Sequence, residues 1–136
     1  MNSQEKPYII TLESFGGVQR GALTVAESDK DIPFPIERIY WINGCPEGSV
    51  RGRHANKANQ QVVVALSGSA VAELTDKQGV TYTFELSSPF EGLYVPPFYW
   101  RNFHVAADTL LLCIASHKFD EQDYIRSYEA FKNLRS

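Results

Sequence analysis

The chain has 136 residues, of which 43% are apolar and 21% charged, with a formal net charge of −3. That composition fits one globular domain over residues 1–136 and excludes a general nucleic-acid binder, which needs a basic stripe or patch. No apolar run approaches the roughly 20 residues that cross a bilayer, and residues 1–6 lack the basic flank and apolar stretch of a secretory leader.

In chain order, period-two or β-rich patterning predicts strands over residues 8–12, 21–26, 36–42, 61–67, 70–75, 80–86, 92–95 and 110–115. The clearest alternation sets Val80, Tyr82, Phe84 and Leu86 against Thr81, Thr83 and Glu85. Ser67-Gly68-Ser69 reads as a tight hairpin turn, and Asp76-Lys77-Gln78-Gly79 as a second. Pro33, Pro35, Pro46, Pro96 and Pro97 fall in the connections, as a missing N–H requires. From Asp120 the period changes. Asp120 can cap a helix with Asp123 at its third position, and Tyr124, Tyr128 and Phe131 would then share a face. A single helix over residues 121–134, packed outside the sheets, is expected. Short strands without helices between them indicate an all-β antiparallel sandwich or barrel. Cys45 and Cys113 have no metal-pair spacing, and reduced thiols in a cytoplasmic setting are the simplest reading.

The chemistry concentrates in residues 51–57. Arg51, Arg53 and Lys57 surround His54, and no Asp or Glu occurs between Glu47 and Glu73. A base that titrates near neutrality, held beside anion-binding groups, suits proton transfer on a phosphorylated or nucleotide-linked substrate. Arg51 and Arg53 are expected to depress the pKa of His54 and keep it neutral. The competing reading is a solvated basic loop with a surface histidine. Tyr94 and Trp100 read as core aromatics.

The spacing Gly48-x5-His54-x-Asn56-x4-Gln61-x6-Gly68 resembles the first cupin motif. Asn56 and Gln61 stand where metal cupins carry a second histidine and a glutamate. A second motif runs from Gly92 to Asn102, with Arg101 at the place of a third histidine. One imidazole, two amides and a guanidinium make a poor first-row metal site, so no metal or other cofactor is expected.

Within the cupins, the chain closely resembles the dTDP-4-oxo-6-deoxyglucose 3,4-oxoisomerase (ketoisomerase) family. The resemblance rests on residues 19–23, 31–40, 51–57 and 92–95, on Trp100, and on the block 119–128. It implies a cupin-type jelly roll, no metal, and a homodimer that exchanges an N-terminal strand, for which Tyr8-Ile9-Ile10 is the apolar candidate. It implies an isomerase of deoxysugar and polysaccharide biosynthesis that moves a ketone from C4 to C3 of a dTDP-linked hexose through an enediol. The family motif R-G-x-H-x-H-K matches His54 to the C3 base. The related dTDP-sugar 3,5-epimerases carry R-G-x-H too, which supports Arg51 near the phosphates. Arg20 by its family position is a nucleotide contact, and Arg38, Tyr40, Gln61 and Tyr99 are further substrate-binding candidates. Two positions depart from the pattern. Asn56 replaces the motif's second histidine, and an amide can hydrogen-bond an enediolate but cannot carry its proton. Arg101 stands where relatives can have histidine, and suits an oxyanion. A non-catalytic cupin binding a nucleotide sugar or partner enzyme, and an epimerase on a similar substrate, are the alternatives.

Overall fold

The computed structural model describes residues 4–134. The strands are β1 (Tyr8–Thr11), β2 (Glu13–Gly17), β3 (Gly21–Val25), β4 (Arg38–Ile42), β5 (Ser49–Asn56), β6 (Gln61–Ser67), β7 (Ala70–Thr75), β8 (Thr81–Leu86), β9 (Glu91–Val95), β10 (Trp100–Val105), β11 (Leu110–Ala115) and β12 (Tyr124–Ile125). One short helix, α1 (Tyr128–Lys132), follows them. Two five-stranded antiparallel sheets, ordered β1-β9-β6-β11-β4 and β12-β5-β10-β7-β8, face each other as a cupin-type jelly roll. β2 and β3 pair only with one another, as a separate hairpin.

Between the sheets, Val63, Ala65, Leu93 and Leu111 of the first pack with Ala72, Leu74, Leu86 and Phe103 of the second. The run 62–65 reads as continuously apolar because β6 is buried on both faces. Val62 and Val64 turn outward, where Ile10, Leu12, Ile32 and Phe34 cover them. Each large side chain buried in this way contributes roughly 1.5–3 kcal/mol. No helix among the described residues is long and apolar enough to cross a membrane.

Three expectations need correction. Ser67-Gly68-Ser69 is no hairpin: it carries the chain from β6 in one sheet to β7 in the other. The Asp76 turn does join paired strands, its carboxylate accepting from the backbone N–H of Gln78 and of Val80 at 2.9 Å each. Tyr8-Ile9-Ile10 is not a spare edge, since β1 pairs with β9 of the same chain.

The third correction concerns the predicted helix over 121–134. It divides into a 3-10 turn at Glu121–Asp123, the strand β12, and α1. Asp120 does cap the first turn, accepting from Gln122 N–H. Tyr124 and Ile125 then pair with Asn56 and Ala55 of β5, which extended backbone alone permits. Ser127 caps α1 by accepting from Ala130 N–H. Phe131 and Tyr128 stack on Trp100, whereas Tyr124 leaves that face and lies against His54.

Candidate active site

Residues 51 and 54 of a regular strand point to opposite faces. In β5 they do not, because its register against β10 slips. Arg101 lies opposite His54 and Asn102 opposite Gly52, leaving Arg53 as an extra residue. Gly52 has φ +102° and Arg53 φ +57°, the left-handed backbone that a bulge of this kind uses. The inserted residue re-aims the strand, so Arg51 and His54 line one cavity while Arg53 is exposed. A Cβ at position 52 would lie 2.8 Å from the Arg101 carbonyl oxygen, so glycine alone fits the bulge.

The cavity holds about 460 Å³ between the two sheets. Arg38 and Tyr40 of β4, Gln61 of β6, Arg101 of β10, Tyr124 of β12 and Arg126 complete its polar wall; Ile42, Val63 and Phe103 supply apolar wall. Four arginines thus converge, and no Asp or Glu among the described residues lines the space. Such a field selects anions.

His54 Nδ1–H donates to the Gly52 carbonyl at 3.0 Å, a bond in which the oxygen can only accept. The basic lone pair of the neutral ring is therefore on Nε2. Burial, and then the charge of Arg101, depress the His54 pKa to about 4. The expectation that Arg51 and Arg53 cause this is corrected: Arg53 faces solvent, and the guanidinium that matters comes from the opposite strand. At neutral pH the ring is an uncharged base.

Arg101 is 1% exposed, one of the largest side chains fully buried in the protein. Its Nη1–H donates to Gln61 Oε1 at 3.1 Å and its Nη2–H to the Tyr99 carbonyl at 3.2 Å, while Nε–H has no partner. Gln61 in turn donates to Tyr40 Oη at 2.6 Å. Burial holds the Tyr40 phenol protonated and pushes the Cys113 thiol beside it up to about 11. Opposite them, the Tyr124 ring packs 4.8 Å from the His54 ring, and Arg126 lies over Tyr124 while pairing bidentately with Glu121. His54 is the only imidazole on this wall, and Gln61 is already engaged on both sides. Among the described residues no group of three His, Cys, Asp or Glu is placed to hold an ion.

Residues 5–136 match the family described as FdtA (WxcM-like, C-terminal). The chain is 41% identical over 114 residues to the TDP-4-oxo-6-deoxy-alpha-D-glucose-3,4-oxoisomerase of Aneurinibacillus thermoaerophilus, covering 83% of this chain and 81% of that protein. The chain belongs to the sugar 3,4-ketoisomerase family. The sugar 3,4-ketoisomerase QdtA of Thermoanaerobacterium thermosaccharolyticum, solved with TDP, superposes with a TM-score of 0.89 at 34% identity, over 93% of this chain and 92% of that one. A histidine-to-asparagine variant of QdtA, solved with TDP-4-keto-6-deoxyglucose, gives 0.90 at 32% identity, over 96% and 94%. The dTDP-4-dehydrorhamnose 3,5-epimerase of Bacillus anthracis, at 16% identity with a TM-score of 0.76 over 87% and 76%, shares the fold alone.

In this ketoisomerase-family chain, the sequence-derived candidates Arg38, Tyr40, Arg51, His54, Gln61 and Arg101 meet around one cavity. The other three do not line it. Tyr99 is buried edge-on to Tyr82 and reaches the site only through its carbonyl. Arg20 sits in the exposed turn of the β2–β3 hairpin. Asn56 is fully buried behind His54, its amide donating to Asp123 Oδ2 at 3.0 Å. Sequence reasoning missed Tyr124, Arg126 and Cys113 as lining residues. The signal for the first two was the specificity of the block 119–128, which a helical assignment turned away from the site.

Proposed function

We propose that the protein is a metal-independent isomerase that moves the ketone of a dTDP-linked 4-oxo-6-deoxyhexose from C4 to C3. The observation that carries the reading is the neutral His54 fixed by Gly52 inside a cavity of four arginines without a carboxylate. The C3 hydrogen, alpha to the C4 ketone, is acidic because its loss leaves an enediolate. His54 Nε2 takes that proton and returns it to C4, while the hydroxyl proton leaves O3 and one arrives at O4. A positioned base of this kind contributes typically 10²–10⁴-fold. Arg101, a donor with no carboxylate partner, stabilises the enediolate oxygen. The Tyr40 phenol, held neutral, can donate and accept in the same step. Arg51 and Arg38 meet the diphosphate, whose binding energy positions the sugar without entering the chemistry.

The reading includes a cytoplasmic homodimer. Its support is the pair of free buried thiols and an exposed apolar surface: Phe15 and Leu23 on the hairpin, Ile39 and Trp41 on the outer face of edge strand β4. A second copy that received the hairpin on this face would bring Arg20 toward the partner's cavity, which gives that arginine a nucleotide to meet.

The test is incubation with dTDP-4-oxo-6-deoxyglucose in deuterated water, followed by NMR of the sugar. Wild type should incorporate deuterium and form the 3-oxo product; His54→Asn should bind TDP with affinity within twofold of wild type and incorporate none. Full incorporation by His54→Asn removes His54 as the base, and a wild type without exchange favours a binding protein instead.

A further inference from the structure

Asn56 occupies the place of the motif's second histidine but points away from the cavity lining, so its task is not direct contact with the sugar. Its surroundings fix its orientation. An amide can normally be turned either way, but Asp123 is a carboxylate and accepts only, so the Asn56 Nδ2–H₂ group must face it. Asp123 cannot move to suit another partner, because Oδ1 accepts from Ala58 N–H at 2.7 Å and Oδ2 from Asn59 N–H at 3.2 Å. Its own carbonyl accepts from Lys57 N–H at 2.9 Å. The backbone of residues 57–59 thus clamps the carboxylate, the carboxylate clamps the amide, and Asn56 Oδ1 is left on the other side.

Asn56 Oδ1 is buried and has no partner, and so is His54 Nε2. The Asn56 side chain lies within hydrogen-bonding range of the His54 ring and raises its proton affinity. With the imidazole neutral and its proton on Nδ1, the two facing atoms are both lone pairs, and no bond forms. Protonation of Nε2 converts the contact into a donor–acceptor pair. The contact is therefore worth something only after the base has taken its proton, which is the condition for lowering a barrier rather than a ground state. Tyr124, next in chain to Asp123 and paired with Asn56 across β12 and β5, closes the ring from its face at 4.8 Å.

We propose that Asn56 and Asp123 are positioning residues that act through His54: the clamped amide oxygen accepts from Nε2–H once the C3 proton has been transferred, and so stabilises the imidazolium. The inference rests on His54 being the base and adds how a strongly cationic cavity lets it become charged. The groups sharing the cavity with His54 are Arg101 from β10, Arg38 and Tyr40 from β4, and Tyr124 and Arg126 from the C-terminal segment. None can accept a proton from an imidazolium at neutral pH, and Asp123 reaches the ring only through the amide. An asparagine here also leaves His54 as the sole titrating group of the pair.

The deciding variant is Asn56→Leu, close in volume and without the amide. It should keep TDP affinity within twofold and KM within threefold, lower kcat at least 30-fold, and enlarge the isotope effect measured with substrate deuterated at C3. In the substrate-free protein labelled with ¹⁵N-histidine, the His54 Nε2 resonance should shift and its titration midpoint should fall. Asp123→Asn, which frees the amide to turn, should move the same readouts in the same direction by a smaller factor, and it stands in if Asn56→Leu does not fold. Unchanged kcat together with an unmoved His54 resonance overturns the proposal. So does a rise in KM with kcat retained, the mark of a direct sugar contact. The resonance needs no turnover, so its shift separates failure of the clamp from failure of the isomerase reading.

Discussion

Arg51 and Lys57 carry the same charge on the same segment, yet Arg51 lines the cavity and Lys57 projects into solvent. Losing a charge-assisted contact to a phosphate removes roughly 1.5–3 kcal/mol. Arg51→Ala should therefore weaken TDP binding about 10- to 100-fold by calorimetry, and Lys57→Ala by less than twofold; equal small effects would place the phosphates elsewhere. His54 supplies a pH prediction. Its folded pKa of about 4 lies below the usual 6.5, so between those values the unfolded chain binds the proton and the folded one does not. Stability contributed by the neutral ring is complete above pH 6.5 and is lost as pH falls to about 4, by roughly 3 kcal/mol at most. Urea unfolding of wild type and His54→Gln at several pH values checks this: the variant's curve should be flatter across that window.

At the scale of elements, the bulge in β5 decides the site. Gly52→Ala must hold a Cβ against the Arg101 carbonyl at φ +102°, a strain of order 1–3 kcal/mol. We expect a lower unfolding midpoint, and a loss of activity exceeding that of Arg53→Ala, whose side chain faces solvent. Equal activity in the two variants would mean the bulge does not aim the base. The same strand shows where the sequence stopped being legible. Strands β6, β7, β8 and β11 could be read because their inward positions are apolar. In β5 and β10 the inward positions carry Arg51, His54 and Arg101, and the bulge shifts the period by one, so no alternation survives. A polar interior hides a strand from a hydrophobic pattern, and only the motif spacing recovered its residues. The C-terminal block misled differently: its aromatic spacing is helical, but pairing with the end of β5 and capping by Ser127 break the helix in two. Phe131, fully buried against Trp100, anchors the second piece. Phe131→Ala should cost about 3–5 kcal/mol by denaturant unfolding.

For the whole molecule, the β2–β3 hairpin exposes Phe15, Val18 and Leu23 and pairs with no other strand among the described residues. An isolated two-stranded hairpin is marginal in water. Leu23→Asp should shift sedimentation from dimer toward monomer at micromolar concentration and lower activity with it, since Arg20 would lose its destination. A monomeric wild type of full activity would refute both the dimer and the role of Arg20.

The absence of any carboxylate among the four arginines of the cavity reaches beyond catalysis. Like charges held together in a half-enclosed space repel, and nothing in the wall neutralises them. The missing negative charge arrives with the nucleotide sugar, which makes the substrate a temporary part of the protein's own architecture. A ligand at a hundredfold excess over its Kd stabilises by about 2.7 kcal/mol, and the fully loaded protein should resist proteolysis accordingly. Inorganic pyrophosphate should reproduce part of that protection, and an uncharged deoxysugar none. Inside a cell, the lifetime of such a protein would follow the supply of what it consumes: when the precursor runs out, the enzyme is cleared first.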